Sequence, residues 1–239
     1  MLKRTQEAAR PVEKHPHIEG RAFAGWALLG AADGLIEAMA ATLALNMAGV
    51  EYRAIIIAGL ALAIGGALSL FQSSYLSARL ELDLMRLDVQ RERMEIDTEP
   101  EEERRELEEL LREEGYSPKE VDVIVKRVTS DRELWLRTQL LHELHLHMDE
   151  LRRSPLREGA LAGASFFIAS ALLVTPYALA APRRQALLGT ALAPLLALFI
   201  MGATGLLSRH AYSFRRGILT ALTGGIVAGV VFLLNLALG

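Results

Sequence analysis

The sequence contains five apolar stretches that are long enough to cross a lipid bilayer. Four of them have no Asp, Glu, Lys or Arg: residues 54–78, 159–182, 185–208 and 217–239. The remaining stretch, residues 22–50, is interrupted only by Asp33 and Glu37. Because a helix of about 20 apolar residues spans a hydrocarbon core roughly 30 Å thick, this pattern predicts an all-α membrane protein with five transmembrane helices.

A charged segment, residues 79–150, separates the second apolar stretch from the third. It holds 22 of the 29 acidic and 12 of the 26 basic residues, which gives it a net charge of −10. Leu80, Leu84 and Leu87 recur in it at near-helical spacing. The segment is therefore predicted to be a helical insert between spans two and three, and its charge favours cations as partners and disfavours nucleic acid.

Turn signals divide the insert into four predicted helices, at about 79–97, 100–114, 118–128 and 131–150. The absence of Gly and Pro between Ser69 and Glu99 predicts that span two continues into the insert as one long helix. Thr98 is predicted to cap the second piece. Gly115 is predicted to end that piece in the left-handed conformation.

The pattern divides the chain into four parts: a polar segment 1–21, spans one and two at 22–78, the insert at 79–150, and spans three to five at 151–239. Basic residues are concentrated in the polar segment, in the flank of the insert and in the loop at 208–216. By the positive-inside rule, the N-terminus and the insert are expected in the cytoplasm. The short, cysteine-free chain, without an evident targeting extension, is expected in a prokaryotic plasma membrane, surrounded by membrane lipid.

Several function classes are excluded by what the sequence lacks. It has no cysteine, which excludes disulfides and thiolate metal sites. It also has no P-loop, no dinucleotide-binding fingerprint and no plausible hydrolase triad. The chain is therefore predicted not to be an enzyme or an ATP-driven pump.

Glutamates of the insert are the first candidates for chemistry. Glu92 and Glu95 are three residues apart and share a helix face, and Glu103 and Glu106 do the same on the next predicted helix. Two such pairs brought together offer hard oxygen ligands, which suit Fe²⁺, Mn²⁺ or Mg²⁺. The alternative is a solvated acidic face in which the glutamates pair with arginines.

Asp33 and Glu37 form a second candidate site within the first span. They are one helical turn apart, and a carboxylate inside a membrane span is costly enough to indicate a function. The alternative is a pair held by a buried arginine or by hydrogen bonds between helices.

A histidine-rich run, His142-Glu143-Leu144-His145-Leu146-His147, is the third candidate. Its spacing differs from that of zinc proteases. His142 and His145 share a helix face, so they are either surface residues near a helix end or additional metal ligands. The glycines of the spans are interpreted as sites of close helix packing.

The order of these features resembles the vacuolar iron transporter family. The similarity is carried by Gly30-Ala31-Ala32-Asp33-Gly34-Leu35 in span one, by Arg91-Glu92-Arg93-Met94-Glu95-Ile96 in the insert, and by the segment from Trp135-Leu136 to Glu143-Leu144. The resemblance implies five spans, a cytoplasmic metal-binding domain between spans two and three, and a homodimer. It also implies five metal-binding glutamates: Glu92, Glu95, Glu103, Glu106 and Glu143.

The chain departs from the family pattern at several positions. The Met pair that precedes the last metal-binding Glu reads Gln139-Leu140, so the thioether ligands are missing. Acidic positions of spans one and two read Trp26 and Leu62, and a Met thought to line the pathway reads Leu70. Glu37 is an added carboxylate.

The resemblance therefore implies a divalent-metal transporter that moves Fe²⁺, with Mn²⁺ and Zn²⁺ as further candidates, out of the cytoplasm by proton antiport. The five glutamates would capture the metal, with His142 and His145 as substitute ligands, and Asp33 and Glu37 would form the transport pathway. An alternative function is a membrane-anchored metal-binding or sensing protein without transport activity. A third is a scaffold whose charged helices bind another protein.

Overall fold

The computed structural model describes residues 17–146, 148–204 and 213–238, and every regular element in these ranges is helical. The elements are α1 (His17–Met47), α2 (Tyr52–Thr98), α3 (Pro100–Glu113), α4 (Pro118–Thr129), α5 (Arg132–His142), a 3₁₀ turn (Glu150–Arg152), α6 (Pro155–Ala178), α7 (Arg183–Thr204) and α8 (Phe214–Leu238). The predicted all-α class is confirmed. Residues 1–16 of the predicted polar segment and 208–212 of the predicted basic loop lie outside the described ranges.

Five of these helices have the length and apolar composition needed to cross a membrane. They are α1 from Ala24 onward, α2, α6, α7 and α8, which agrees with the five predicted spans. Helix α2 has 47 residues, so at 1.5 Å per residue it is about 70 Å long, more than twice the thickness of a hydrocarbon core. The prediction that span two continues beyond the bilayer as one helix is therefore correct.

The chain forms two compact units. The first, here called the membrane unit, comprises Met1–Phe71 and Ala160–Gly239, and the second, the helical unit, comprises Gln72–Gly159. In the membrane unit, Met39 of α1, Leu173 of α6 and Leu198 of α7 lie at the centre of a buried apolar cluster. Helices α1, α7 and α8 pack against one another.

Helices α1 and α6 approach closely because small residues face each other. A Cβ atom on Gly30 would lie 2.0 Å from the carbonyl oxygen of Ala162, and one on Gly34 would lie 2.5 Å from that of Phe166. The hydroxyl of Ser170 donates a hydrogen bond to the carbonyl of Gly34 over 3.2 Å. Close packing thus explains these glycines, whereas a Cβ atom on Gly65 would have nothing within 4 Å.

A polar network joins the ends of three helices in the membrane unit. The Tyr177 hydroxyl accepts a hydrogen bond from Nδ2 of Asn46 over 3.1 Å and lies 3.2 Å from Oγ1 of Thr190. The Arg183 guanidinium donates to the carbonyls of Asn46 and Val50 over 2.8 and 2.9 Å. The arginine therefore binds one carbonyl group in the last turn of α1 and one in the loop that follows it.

The helical unit is built around its own apolar core. Its buried members come from the C-terminal part of α2, from α3, from α4 and from α5: Ile96, Leu107, Leu111, Val121, Val125, Val128, Trp135, Leu136 and Leu140. Their nine side chains are all less than a tenth exposed. Helices α3 and α4 are amphipathic, and each packs its apolar face into this core and leaves most of its charged residues outside.

Local signals set most of the helix boundaries in this unit. Pro100 occupies the first turn of α3, and Gly115 adopts φ = 97° just after its end, as predicted. Ser117 begins α4 through a capping box, in which its backbone N–H donates to Glu120 over 2.8 Å. Asp131 caps α5 by accepting from the backbone N–H groups of Glu133 and Leu134.

Two boundary predictions were wrong. Thr98 does not cap α3: its hydroxyl donates backward to the Met94 carbonyl within α2, and Glu99 holds the cap position. The last predicted helix does not reach residue 150, because α5 ends at His142. There the N–H of Leu146 donates to the Leu140 carbonyl over 2.8 Å and His145 adopts φ = 55°, so the chain turns and Leu146 packs against the core.

Candidate metal site

Three glutamates from three different parts of the helical unit converge on one point. Glu92 lies on α2, Glu103 on α3, and Glu143 at the C-cap of α5. Each offers a carboxylate oxygen, and these three oxygens lie within 4.8 Å of one another. Among the described residues, this is the group of acidic and histidine side chains whose spacing fits a metal ion.

The fold of the unit explains why these carboxylates meet. The turn at Glu99-Pro100 folds α3 back beside the end of α2, so residues eleven positions apart in sequence become neighbours. Leu107, one helical turn after Glu103, is fully buried in the core, which fixes the face of α3 that turns inward. The end of α5 then brings Glu143 to the same place.

Two of the three carboxylates are buried to an unusual degree for charged groups. Glu92 is 2% exposed and Glu103 is 5% exposed, while Glu143 is exposed to solvent. Oε1 of Glu92 has no hydrogen-bond partner among the described residues. Burial of a charged carboxylate is unfavourable without a compensating partner, so this group needs either a proton or a cation.

The electrostatics of the site agree with that requirement. Burial, followed by the negative charges of Glu143 and Glu103, raises the pKa of Glu92 to about 8. Burial and the charges of Glu106 and Glu103 raise the pKa of Glu143. A divalent cation would supply positive charge beside these carboxylates and so stabilise their ionised forms.

Glu103 is held in place by Gln139, which stands where the family pattern has a methionine. Nε2 of Gln139 on α5 donates to Oε2 of Glu103 over 2.9 Å. Gln139 is fully buried, and it precedes Glu143 by one helical turn. The sequence does contain a signal for this contact, because Gln139 is a polar residue among leucines and lies one helical turn before Glu143.

The remaining two predicted glutamates lie at the edge of the cluster. Glu95 accepts a hydrogen bond from Nε of Arg91 over 3.0 Å, one helical turn away. Glu106 is half-buried, and burial followed by the charge of Glu103 raises its pKa. The structure therefore brings three of the five glutamates together and leaves Glu95 in the ion pair that the alternative interpretation anticipated.

An adjoining cavity of about 200 Å³ extends the acidic surface. It is lined by Glu106, Glu109, Leu110, Glu113 and Glu143. Sequence reasoning did not single out Glu109 and Glu113, because an acidic helix offers no local signal that separates them from their neighbours. Through Glu106 and Glu143 the cavity places further carboxylates beside the triad.

His142 and His145 are not part of the cluster of three glutamates. Nδ1 of His142 lies 2.5 Å from a carboxylate oxygen of Glu114. His145 follows the end of α5 and is exposed. The predicted shared helix face of His142 and His145 was wrong, because α5 ends at His142 and the chain turns there. Their role as additional ligands stays a prediction. His147 lies outside the described residues.

The two carboxylates of the first span lie on α1 of the membrane unit. Asp33 is half-buried and Glu37 is exposed, one turn apart. Neither has an ion-pair partner among the described residues, so the alternative of a pair held by a buried arginine is not supported there. Leu62, at a position the family pattern fills with an acidic residue, packs against the apolar cluster of α1, α6 and α7.

Five apolar helices and a separate unit with converging carboxylates define an integral membrane protein with a candidate cation site. The model of the VIT family matches residues 26–235, and the chain belongs to this family. It is 30% identical to vacuolar iron transporter 2 of Oryza sativa subsp. japonica, over 73% of this chain and 71% of that protein. It is 26% identical to vacuolar iron transporter 1 of Eucalyptus grandis, over 95% of this chain and 92% of that protein.

Proposed function

We propose that the protein transports divalent metal ions, Fe²⁺ foremost and Mn²⁺ second, out of the cytoplasm in exchange for protons. The observation that carries this function is the triad of Glu92, Glu103 and Glu143, whose oxygens converge within 4.8 Å in a member of the VIT family. Carboxylate oxygens are hard ligands, which favours Fe²⁺ and Mn²⁺ over softer metals. The relatives named above are vacuolar iron transporters, which supports iron as the first candidate.

The helical unit would act as the site of capture. Glu92 and Glu103 supply buried oxygens, Glu143 supplies an exposed one, and Glu106 extends the acidic surface toward solvent. Glu95 would join the metal only after it leaves Arg91, with which it forms an ion pair. This unit is expected in the cytoplasm, where the basic flanks of the spans would hold it.

Asp33 and Glu37 would carry the metal and the protons within the membrane unit. A carboxylate serves both tasks because it ligates a hard cation and also titrates. In a homodimer with the pathway on the two-fold axis, one Asp and one Glu per chain give four carboxylates. These four carboxylates would compensate for Leu62, which stands where the family pattern has an acidic residue.

Flux measurements test the transport function. The purified chain is reconstituted into liposomes that contain a metal-sensitive fluorophore, and Fe²⁺, Mn²⁺ and Zn²⁺ are compared with and without a pH gradient. We expect Fe²⁺ and Mn²⁺ entry that accelerates when the lumen is acidic, and a loss of most flux in Asp33→Asn. Glu51→Gln, an exposed carboxylate in the turn between α1 and α2, is the matched control and should retain wild-type flux.

A membrane-anchored metal sensor is the second candidate function. It is favoured by Leu62, which packs in an apolar cluster where the family pattern has an acidic residue. Metal binding that depends on Glu92 and Glu103, combined with no flux for any of the three metals, would establish the sensor function and reject the transport function.

Equal flux in wild type and Asp33→Asn would reject the proposed pathway through Asp33 and Glu37.

A further inference from the structure

The side-chain oxygen of Gln139 is buried in the helical unit without a hydrogen-bond partner among the described residues. The side chain is 0% exposed, and its Nε2 donates to Oε2 of Glu103 over 2.9 Å. Its Oε1 has no hydrogen-bond partner among the described residues. Since both atoms belong to one amide group, the free oxygen lies beside the carboxylate of Glu103.

A second unpartnered oxygen lies in the same cluster. Oε1 of Glu92, which is 2% exposed, also lacks a partner, although Glu92 and Glu103 each contribute an oxygen to the triad. Buried acceptors are normally paired, and when Glu92 is ionised neither its Oε1 nor that of Gln139 can donate a hydrogen bond to the other. The only further unpartnered buried side-chain atom in the described residues, Nε1 of Trp135, is a donor that reaches neither of them.

When Glu92 is ionised, a cation is the partner that satisfies both oxygens at once. We propose that Gln139 is a ligand of the captured metal, contributing Oε1 as an uncharged oxygen beside the carboxylates of Glu92, Glu103 and Glu143. Its Nε2 meanwhile keeps Glu103 oriented toward the same ion. This role rests on the metal capture proposed for the helical unit.

The chemistry of the amide defines the class of metal that the site prefers. An amide oxygen is a hard ligand, of the kind found in Ca²⁺, Mg²⁺ and Mn²⁺ sites, whereas a thioether favours soft metals. A site of three carboxylates and one amide presents oxygen alone. Gln139 therefore biases the site toward Mn²⁺ and Fe²⁺ and against soft cations such as Cd²⁺.

Metal affinity in the full-length protein tests the ligand role. Dissociation constants for Mn²⁺ and Cd²⁺ are measured in detergent by competition with a fluorescent chelator, and Glu92→Gln identifies the binding that belongs to this site. In Gln139→Met, which keeps the approximate volume, we expect the Mn²⁺ affinity to fall about tenfold relative to the Cd²⁺ affinity. Gln90→Met, an exposed residue of α2 in the same unit, is the matched control and should leave the ratio unchanged.

Gln139→Glu separates ligation from mere positioning and remains informative if Gln139→Met fails to fold. If residue 139 touches the metal, an anionic oxygen there should tighten Mn²⁺ binding at pH 8. If Gln139 acts only by donating to Glu103, the same change replaces a donor with a repelling charge and weakens binding. Weaker binding in Gln139→Glu, or an unchanged Mn²⁺ to Cd²⁺ ratio in folded Gln139→Met, would overturn the ligand role.

The outcomes also distinguish this role from the proposed function. If wild-type protein binds Mn²⁺ and Glu92→Gln removes that binding, metal capture stands whatever Gln139 does. If Glu92→Gln has no effect on binding, metal capture by the triad fails, and the ligand role of Gln139 fails with it.

Discussion

Arg153 and Glu158 form a two-pronged ion pair in the helical unit. Nε and Nη2 of Arg153 each donate to one carboxylate oxygen of Glu158 over 3.0 Å, and Nη1 donates to Glu81 of α2 over the same distance. Glu158 is 2% exposed. The arginine therefore connects the start of α6 to α2 and neutralises a carboxylate that water does not reach.

Loss of Arg153 should destabilise the helical unit strongly. In Arg153→Met, Glu158 stays buried without its partner, and we expect the free energy of unfolding to fall by about 3–5 kcal/mol. Chemical unfolding in detergent, followed by the fluorescence of Trp135 in a Trp26→Phe background, measures this change. Arg152→Met, at an exposed neighbouring position, should change stability by less than about 0.5 kcal/mol. A similar loss in both variants would contradict the assignment.

Metal binding should release protons, because the site holds one near neutral pH. Burial and the charges of Glu143 and Glu103 raise the pKa of Glu92 to about 8, so a metal that binds at pH 7 displaces about one proton from it. Mn²⁺ affinity should then rise by about tenfold per pH unit up to that pKa. Calorimetry in two buffers of different ionisation enthalpy measures the released protons. Above that pKa Glu92 is already ionised, so proton release that is no greater at pH 7 than at pH 9 would refute this prediction.

The same shift predicts how stability depends on pH without metal. The pKa of Glu92 is about 8 in the folded chain and 4.5 in an unperturbed side chain. Between these values the folded state binds more protons than the unfolded state, so the free energy of unfolding should fall as pH rises from 4.5 to 8. Unfolding curves of the metal-free protein at pH 5.5 and 7.5 test the sign. In Glu92→Gln the difference between the two curves should shrink.

Mn²⁺ should stabilise the folded chain through the triad. At a free concentration of 100 times the dissociation constant, a ligand that binds only the folded state adds about 2.7 kcal/mol. We expect this gain in wild type and its loss in Glu92→Gln/Glu103→Gln. Glu101→Gln, which changes an exposed residue of α3 two positions from Glu103, is the control. Thermal unfolding with and without Mn²⁺ measures the effect, and a gain that survives in the double variant would assign it to another site.

Two glycines of the membrane unit should respond in opposite directions to the same substitution. A Cβ atom on Gly34 would lie 2.5 Å from the Phe166 carbonyl oxygen, so Gly34→Ala should separate α1 from α6 at a cost of about 1–3 kcal/mol. A Cβ atom on Gly65 in α2 would meet nothing within 4 Å. Gly65→Ala should therefore be neutral or stabilising by up to about 1 kcal/mol through helix propensity. Thermal unfolding in detergent compares them, and equal effects would contradict the packing of α1 on α6.

Much of the fold was predictable because its causes are local. A charge-free run of more than twenty residues is a span because its length matches the bilayer, and Pro100 and Gly115 mark helix boundaries because their backbones restrict or permit particular φ values. The end of α5 at His142 was not predictable. No Gly or Pro marks that position, and the turn is stabilised by the packing of Leu146 against a core assembled from other helices.

The candidate site divides in the same way. The sequence by itself determined that the charged segment at 79–150 is acidic and largely helical, and its motifs pointed to five glutamates. Only the tertiary structure decided that Glu92, Glu103 and Glu143 converge while Glu95 pairs with Arg91. It also decided that Gln139 adjoins Glu103. The physical reason is that a helix fixes which residues share its own face, whereas the distance between side chains on different helices depends on how their apolar faces pack.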